Sequence, residues 1–393
     1  MNASVYPSSQ ALALNPIILH IEGEGQVQFT VINLVDDGQG GTTPQEVYSG
    51  LVTCAQANQG VVDIDISAVI QTLFSPGTDI LPHRSVIQSQ QQLVRHLSIL
   101  VESGEDSTTL PLDVWYGGIS SVLYKQLRLA GTDIFSERFN AYSGNFFFSS
   151  RDDGWQVIRR ETELSPLFFI MPTGGITISP FGSGAVWESG TDYAGQFVSL
   201  DVQLLRQVFF TENGILPSLF DVSVGGGIVC QIAIEQQQER KDMTLVRYLS
   251  SLGTWERITF VGASQVKNSF DEDEAGNDYK EYDGLTCSFL DRRMRRAANR
   301  AIQAETDVTL PRHRMALEDM LQSDMVYLTM PDLSEKMVLP TIDELSWQCP
   351  QQAPERFTVD FQLSQTDSLS SPSSVDAIRR PGIFTPQFTS PFV

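Results

Sequence analysis

The chain has 393 residues, a net charge of −22 and an apolar fraction of 41%. That length exceeds one core and predicts two or three domains, and the composition excludes wholesale disorder. The charge argues against nucleic acid, which needs a basic face, and against docking on anionic lipid. The charge is also uneven. No Lys or Arg precedes Arg84, whereas eight acids do (Glu22, Glu24, Asp36, Asp37, Glu46, Asp63, Asp65 and Asp79). Such a segment repels its own copies unless its carboxylates face water or a basic partner.

Residues 1–14 are small and polar and read as an N-terminal arm. In "QVQFTVINLV" Val27, Phe29 and Val31 alternate with Gln28 and Thr30, the period of a half-buried strand. "DDGQGGTTPQ" is a turn by its Gly, Asp and Pro content. "EVYSGLVTC", "VVDIDIS", "HLSILVE" and "LPLDVWYGGI" read as further strands, "ISAVIQTLF" as a short helix, and "SSVLYKQLRLA" as an amphipathic helix ending at Gly131. Strands this short between turns predict a β-sandwich over 15–131 rather than an alternating α/β sheet.

After a connecting segment, 132–166, the pattern restarts. "LFFIMPTGGITISP", "QFVSLDVQLL", "LFDVSVGGG" and "IVCQIAIEQ" read as strands of a second sandwich over 167–262, and the repeated pattern reads as a duplication. Residues 263–366 form an α+β module: "RHRMALEDMLQ" is helical behind Pro311, and "MVYLTM" and "RFTVDFQLSQT" are strands. The Ser/Pro-rich stretch 367–393 cannot make a core and reads as a C-terminal arm. The fold class expected is therefore mainly β: tandem β-sandwich-like domains, a few short helices and extended terminal arms.

Candidate chemistry is sparse. "SFDEDEAGNDYKEYDG" places Asp271, Asp273 and Gly276 at positions one, three and six of a calcium loop, with Asp278 following. Ala275 and Tyr282 then stand where ligands belong, so the run reads as a hydrated loop rather than a metal site. Arg292, Arg293, Arg295, Arg296 and Arg300 lack interleaved aromatics and read as a charge-paired helix or subunit contact. The glycine-rich stretches lack a phosphate-loop ending, and there is no GxSxG or HExxH. His20, His83, His96 and His313 are scattered, although His83 and His96 are near enough in sequence to approach each other. Cys54, Cys230, Cys287 and Cys349 lie far apart and read as reduced, mostly buried thiols. No catalytic residue, metal or cofactor is expected. The first 23 residues lack a positive n-region and no 18-residue apolar run occurs, so neither secretory signal nor membrane insertion is expected.

Four segments share a further pattern: "LDVWYGGISSVLYKQL" (112–127), "SGNFFFSSRDDGWQVIRRETELSPLFFIMP" (143–172), "RYLSSLGTWERITFVG" (247–262) and "LEDMLQSDMVYL" (317–328). The strand ending in Gly-Gly-Ile-Ser, the E-x-E-L-x-P-L stretch, the G-x-W-E strand and the S-x-x-V-x-L continuation resemble a family of bacteriophage tail-associated structural proteins. The resemblance implies a non-enzymatic tail or baseplate subunit, made in the host cytoplasm and carried in the virion. Its partners would be copies of itself, in a ring, and other tail or virion proteins. The C-terminal arm would anchor through Ile383, Phe384, Phe388 and Phe392. The rival expectation is a carbohydrate- or cell-surface-binding sandwich protein presenting Trp115, Trp155 and Trp187. A hydrolase with an unrecognised carboxylate pair is a further rival.

Overall fold

The computed structural model describes residues 1–36, 41–55, 60–140, 145–151, 155–236, 243–270, 278–285, 287–293, 298–306, 311–330, 334–342 and 356–363. The chain divides into two compact units, residues 1–236 with 249–256, and residues 237–248 with 257–393. As expected, the fold is mainly β with a few short helices and β-sandwich-like layering.

The first unit begins with β1 (Asn2–Tyr6), β2 (Gln10–Leu12), β3 (Ile18–Glu22), β4 (Gly25–Asp36), β5 (Thr42–Cys54), β6 (Val61–Asp65), α1 (Ser67–Gln71), β7 (Ile87–Ser89), β8 (Val94–Ser103) and β9 (Asp106–Trp115). A three-stranded sheet, β1-β3-β6, shares a core with a five-stranded sheet, β2-β9-β8-β4-β5. Alternation dictates the packing. Val27, Phe29 and Val31 of β4 point inward beside Leu97, Ile99 and Val101 of β8, and Leu19 and Ile21 of β3 meet them from the other sheet. Burying each such side chain contributes about 1.5–3 kcal/mol. Residues 1–14 are not an arm: β1 pairs with β3 and β2 pairs in parallel with β9, and Val5, Ala11, Leu12 and Ala13 are buried.

Two helices follow, α2 (Ser121–Ala130) and α3 (Ile134–Glu137), then β10 (Gln156–Arg160), β11 (Leu167–Ile170), β12 (Thr177–Pro180), β13 (Trp187–Glu188), β14 (Phe197–Leu200), α4 (Val202–Asn213), β15 (Leu219–Val224) and β16 (Gly227–Glu235). Their sheets are β10-β16-β15-β12-β13 and β11-β14-β7, the latter borrowing β7 from the first sandwich. The wiring repeats that of the first sandwich. β10, β16, β15, β12 and β13 take the places of β2, β9, β8, β4 and β5. β11 and β14 take those of β3 and β6, α4 that of α1, and each five-stranded sheet opens on one parallel pair. The matched stretch runs from β10 to β16, whereas the strands β17 and β18, expected within 167–262, belong to a different, seven-stranded sheet.

The first part of "QFVSLDVQLL" is strand β14, but the remainder belongs to α4. The Asp201 carboxylate accepts hydrogen bonds from the Gln203 and Leu204 amides, and Gly214 ends the helix at φ 68°. Val202, Leu205, Arg206 and Phe209 form its buried stripe at helical spacing. The segment 132–166 also belongs to the unit's interior. Phe135, Phe139 and Phe148 join Leu12, Trp115, Phe168, Phe197 and Leu252 in an apolar layer shared by both sandwiches, and Phe146 and Phe147 lie in the second core. The two sandwiches expected as separate domains thus lie in one unit.

The second unit contains β17 (Thr244–Leu249) and β18 (Trp255–Phe260) as far as the division above allows, then β19 (Ser264–Phe270), β20 (Asp278–Asp283), β21 (Ser288–Arg293), β22 (Ala298–Glu305), α5 (Pro311–Gln322), β23 (Val326–Thr329), β24 (Glu335–Thr341) and β25 (Thr358–Leu363). The sheet order is β18-β17-β23-β24-β25-β22-β19, while β20 and β21 form a separate hairpin. β18 runs almost directly into β19 at the opposite end of that order. The Gly262 amide donates to the Glu305 carbonyl at the join, so the sheet curls back on itself. Ala316, Leu317 and Met320 of α5 pack on Val246, Tyr248, Phe260, Val359 and Phe361.

Candidate assembly surface

The acidic-loop residues Asp271 and Asp273 lie outside the described residues, and Asp278 is the first residue of β20. The arginine run is not a helix. Arg292 and Arg293 stand in β21 opposite Tyr279 and Asp278, Arg300 stands in β22, and Arg295 and Arg296 lie outside the described residues. β20 and β21 pair antiparallel over six residues each, from Asp278 opposite Arg293 to Asp283 opposite Ser288. Ile383, Phe384, Phe388 and Phe392 lie outside the described residues, as does Cys349. Cys54, Cys230 and Cys287 form no disulfide; the first two are buried and Cys287 is exposed. Trp115 is 6% exposed and packs edge-on and tilted against Phe197 and Phe135, which removes it from any binding face. Trp187 packs partly against the second core, and Trp155 is 53% exposed.

Among the described residues no three His, Cys, Asp or Glu side chains are grouped to hold a metal. Each of the first three histidines has its own partners. His20 Nδ1 lies 2.6 Å from Asp63 and its Nε2 lies 3.2 Å from Glu22, on the outer face of the small sheet. The Asp63 and Glu22 carboxylates raise its pKa above the usual histidine value. His96 lies 2.7 Å from Asp113 on the outer face of the large sheet and is raised by that carboxylate. His83 and His96 therefore serve different sites.

His83 Nε2 sits 2.7 Å from Ser199 Oγ, and its Nδ1 sits 3.1 Å from the Ser85 carbonyl. A carbonyl only accepts, so Nδ1 carries a proton, and in the neutral ring Nε2 accepts from the Ser199 hydroxyl. This has the outline of a nucleophile and its base. However, Ser199 has 0% exposure and also accepts from Gln90 Nε2 at 2.9 Å, so no substrate atom reaches its oxygen. The bonds fasten the strand approach at residues 81–90 onto β14. A cavity of about 20 Å³ between Tyr6, Gln10, Asn15, Tyr124 and Asp133 has room for about one water. Burial pushes the Tyr124 hydroxyl up to about 12, and that hydroxyl donates to the Pro16 carbonyl.

Among the described residues, the charges hidden in the first unit all follow residue 150. Arg151 pairs with Glu163 at 2.7 Å, and Arg206, itself buried, reaches Glu161 at 2.8 Å. Arg159, 2% exposed, donates to Ser149 Oγ at 3.0 Å and lies 3.5 Å from Glu256, which also accepts from Ser149 Oγ at 2.9 Å. Glu256, in β18, belongs to the segment 249–256, whose Leu252 enters the shared apolar layer. The Gly117 and Gly253 backbones make that insertion possible: a Cβ on Gly117 would sit 2.7 Å from the Leu252 carbonyl carbon, and one on Gly253 would sit 2.2 Å from the Tyr116 carbonyl oxygen. Charged groups this deep hold when paired, and the network fixes the segment in place.

Sheet edges are the remaining feature, since an unpaired strand offers a ladder to any chain that fits it. Most edges here are short or guarded. β2 and β7 have three residues, β13 two, and β11 is largely buried. β1 has five residues and stops at Pro7, β6 carries Asp63 and Asp65, β10 carries Arg159 and Arg160, and β19 carries Lys267. β5 differs. It has 13 residues, pairs with β4 on one side, and ends its sheet on the other. Pro44 and Glu46 guard its first half. Its second half, Val47 to Thr53 ("VYSGLVT"), has no charge and no proline, and exposes Tyr48 at 44% and Leu51 at 64%. Gly50 is needed there because a Cβ would stand 2.5 Å from Phe29 Cε1, whose ring covers the strand. Sequence inspection finds "VYSGLVT" as a strand but not as an edge, because edge position depends on residues far away.

No family model matches the chain, and no curated protein matches it. Among solved structures, the protocadherin gamma B7 extracellular cadherin domains 1–4 are similar at 13% identity, over 78% of this chain and 73% of that one, with a TM-score of 0.12. A likeness at that score carries no argument.

Proposed function

We propose that this chain is a structural subunit, of the phage tail or baseplate kind its motifs resemble, that assembles with copies of itself and with other virion proteins. The observation that carries the reading is the β5 edge: a long strand with an uncharged, apolar-bearing second half on a strongly acidic protein. Soluble proteins guard such edges unless something pairs with them. A mainly β body with charges clamped inside suits a part that must hold shape while its rim makes contacts. In this reading the charge of −22 keeps free subunits soluble in the host cytoplasm, and the 367–393 arm anchors neighbours in the ring.

Light scattering on the full chain tests the reading. A multiple of the subunit mass that falls when residues 367–393 are deleted supports the arm-linked ring. A monomer at all concentrations and with virion extract present sinks it. Glycan binding is the second reading, favoured by the exposure of Trp155 alone. Protection of tryptophan fluorescence by oligosaccharides, lost in Trp155→Ala, would support it.

A further inference from the structure

The β5 edge has the properties of a self-pairing strand, and we propose that it adds to the β5 edge of a second copy across a two-fold axis near Gly50. The inference rests on the assembly reading and names its partner surface. The joined halves would form one ten-stranded sheet, since each copy contributes the five strands β2-β9-β8-β4-β5.

Within this acidic segment the β5 edge is a place where two copies meet without opposing charges. The first 83 residues hold eight acids and no Lys or Arg, so copies of this region repel wherever those acids face each other. Residues 47–53 contain none of them. In an antiparallel pairing centred on Gly50, each Glu46 meets Cys54 of the other copy. The two Glu46 residues then lie eight residue steps apart, about 26 Å at about 3.3 Å per step. That is well beyond the screening length of about 8 Å at physiological salt.

Side chains agree with the same register. Tyr48 falls opposite Val52 of the second copy, on the side of the strand that faces its own core. Ser49 falls opposite Leu51 on the other side. Aromatic–β-branched cross-strand pairs are favourable, and Leu51 loses its exposure without meeting a charge. Gly50 meets Gly50, so the axis carries no side chain and the backbones approach freely.

The second sandwich supplies an internal comparison. At the position of β5 it has β13, two residues long. One sandwich thus has a 13-residue edge strand where the other has a two-residue one, although each has its own core. β5 gives Cys54 to the first core and packs Val47 and Val52 on it, while its outer edge, with Leu51 exposed at 64%, has no counterpart in the second sandwich.

The experiment uses the full chain. Native mass is measured by light scattering across a concentration series for the wild type and for Ser49→Lys/Leu51→Lys, whose side chains leave the core untouched. Circular dichroism confirms the fold of the variant. In parallel, Ser49→Cys in a Cys287→Ser, Cys349→Ser background is treated with a short bismaleimide, with Ser107→Cys in the same background as the control. The expected result is an even-numbered assembly, weakened at least about tenfold by the paired lysines, with cross-linking of the Ser49→Cys chain and not of the Ser107→Cys control. An assembly indifferent to the lysines and without that cross-link overturns the β5 pairing but leaves the assembly reading standing. A wild-type monomer at all concentrations, also without the cross-link, overturns the pairing too.

Discussion

The two sandwiches share one wiring and differ in how they are held. The first is closed by apolar side chains alone: its core runs through Ile17, Leu19, Phe29, Ile99 and Val114, and among the described residues none of the buried charged ones lies within it. The second packs Phe169, Phe209 and Phe220 and adds Arg159, clamped by Ser149 and Glu256. The helix at the same position in each differs as well. α1 has five residues and no side-chain cap, whereas α4 has 12 and is capped by Asp201. What the pair teaches is that a strand order can be kept while edge, cap and buried charge all change around it. The module tolerates those changes because its backbone ladders and alternating core already satisfy most of its polar and apolar groups.

The comparison breaks most sharply at the buried charges. Glu256→Ala removes the buried carboxylate that Arg159 and Ser149 share and is expected to cost about 3–5 kcal/mol in denaturant unfolding, whereas Glu46→Ala on the exposed first-sandwich edge should cost almost nothing. Equal small losses would show that water reaches Arg159. The next effect is Gly50→Val, where Phe29 must move for the new Cβ. A loss of about 1–3 kcal/mol is expected, with the near-ultraviolet dichroism of the first sandwich altered, and an unchanged midpoint would count against the ring-over-glycine packing. Asp201→Ala removes the α4 cap and should cost about 1 kcal/mol, measured by the same unfolding curves, whereas the N-cap of α1, Ile66, makes no side-chain bond.

The smallest effect is a pH dependence confined to the first sandwich. His20 and His96 both have raised folded pKa values, so their stabilisation is complete below the unfolded value of about 6.5 and is lost as pH rises through the raised values. Both pairs are solvent-facing and screened, so each contributes less than about 1 kcal/mol. Melting curves from pH 5.5 to 8.5 should fall less steeply for His20→Gln/His96→Gln than for the wild type. Parallel slopes would remove the pairs from the stability of this sandwich.

How far the sequence could be read follows from which forces are local. Alternation is local, and β4, β8 and β25 are visible in it because Val27, Phe29 and Val31, or Phe357, Val359 and Phe361, recur at period two. Residues 1–14 mislead because their buried members, Val5, Ala11, Leu12 and Ala13, are few and lie among polar residues, and pairing with β3 and β9 orders them. α4 is hidden by its leading "FVSL" strand, although Asp201 followed by Leu205 and Phe209 at helical spacing is a usable signal. Of the proposed site, the strand is legible and the edge is not. Likewise no spacing rule ties Arg159 to Glu256, 97 residues away.

The parallel pairs that open each large sheet have a consequence for biosynthesis. Gln10 pairs with Asp113 and Gln156 with Gln231, so in each sandwich an early strand waits for the last one before its sheet is complete. The second sandwich waits longer still for Glu256, which lies 3.5 Å from Arg159 in the folded chain but follows the last strand of that sandwich. A nascent chain halted before Gly227 leaves the second large sheet without the strand that joins β10 to β15, so that sandwich completes in a late step.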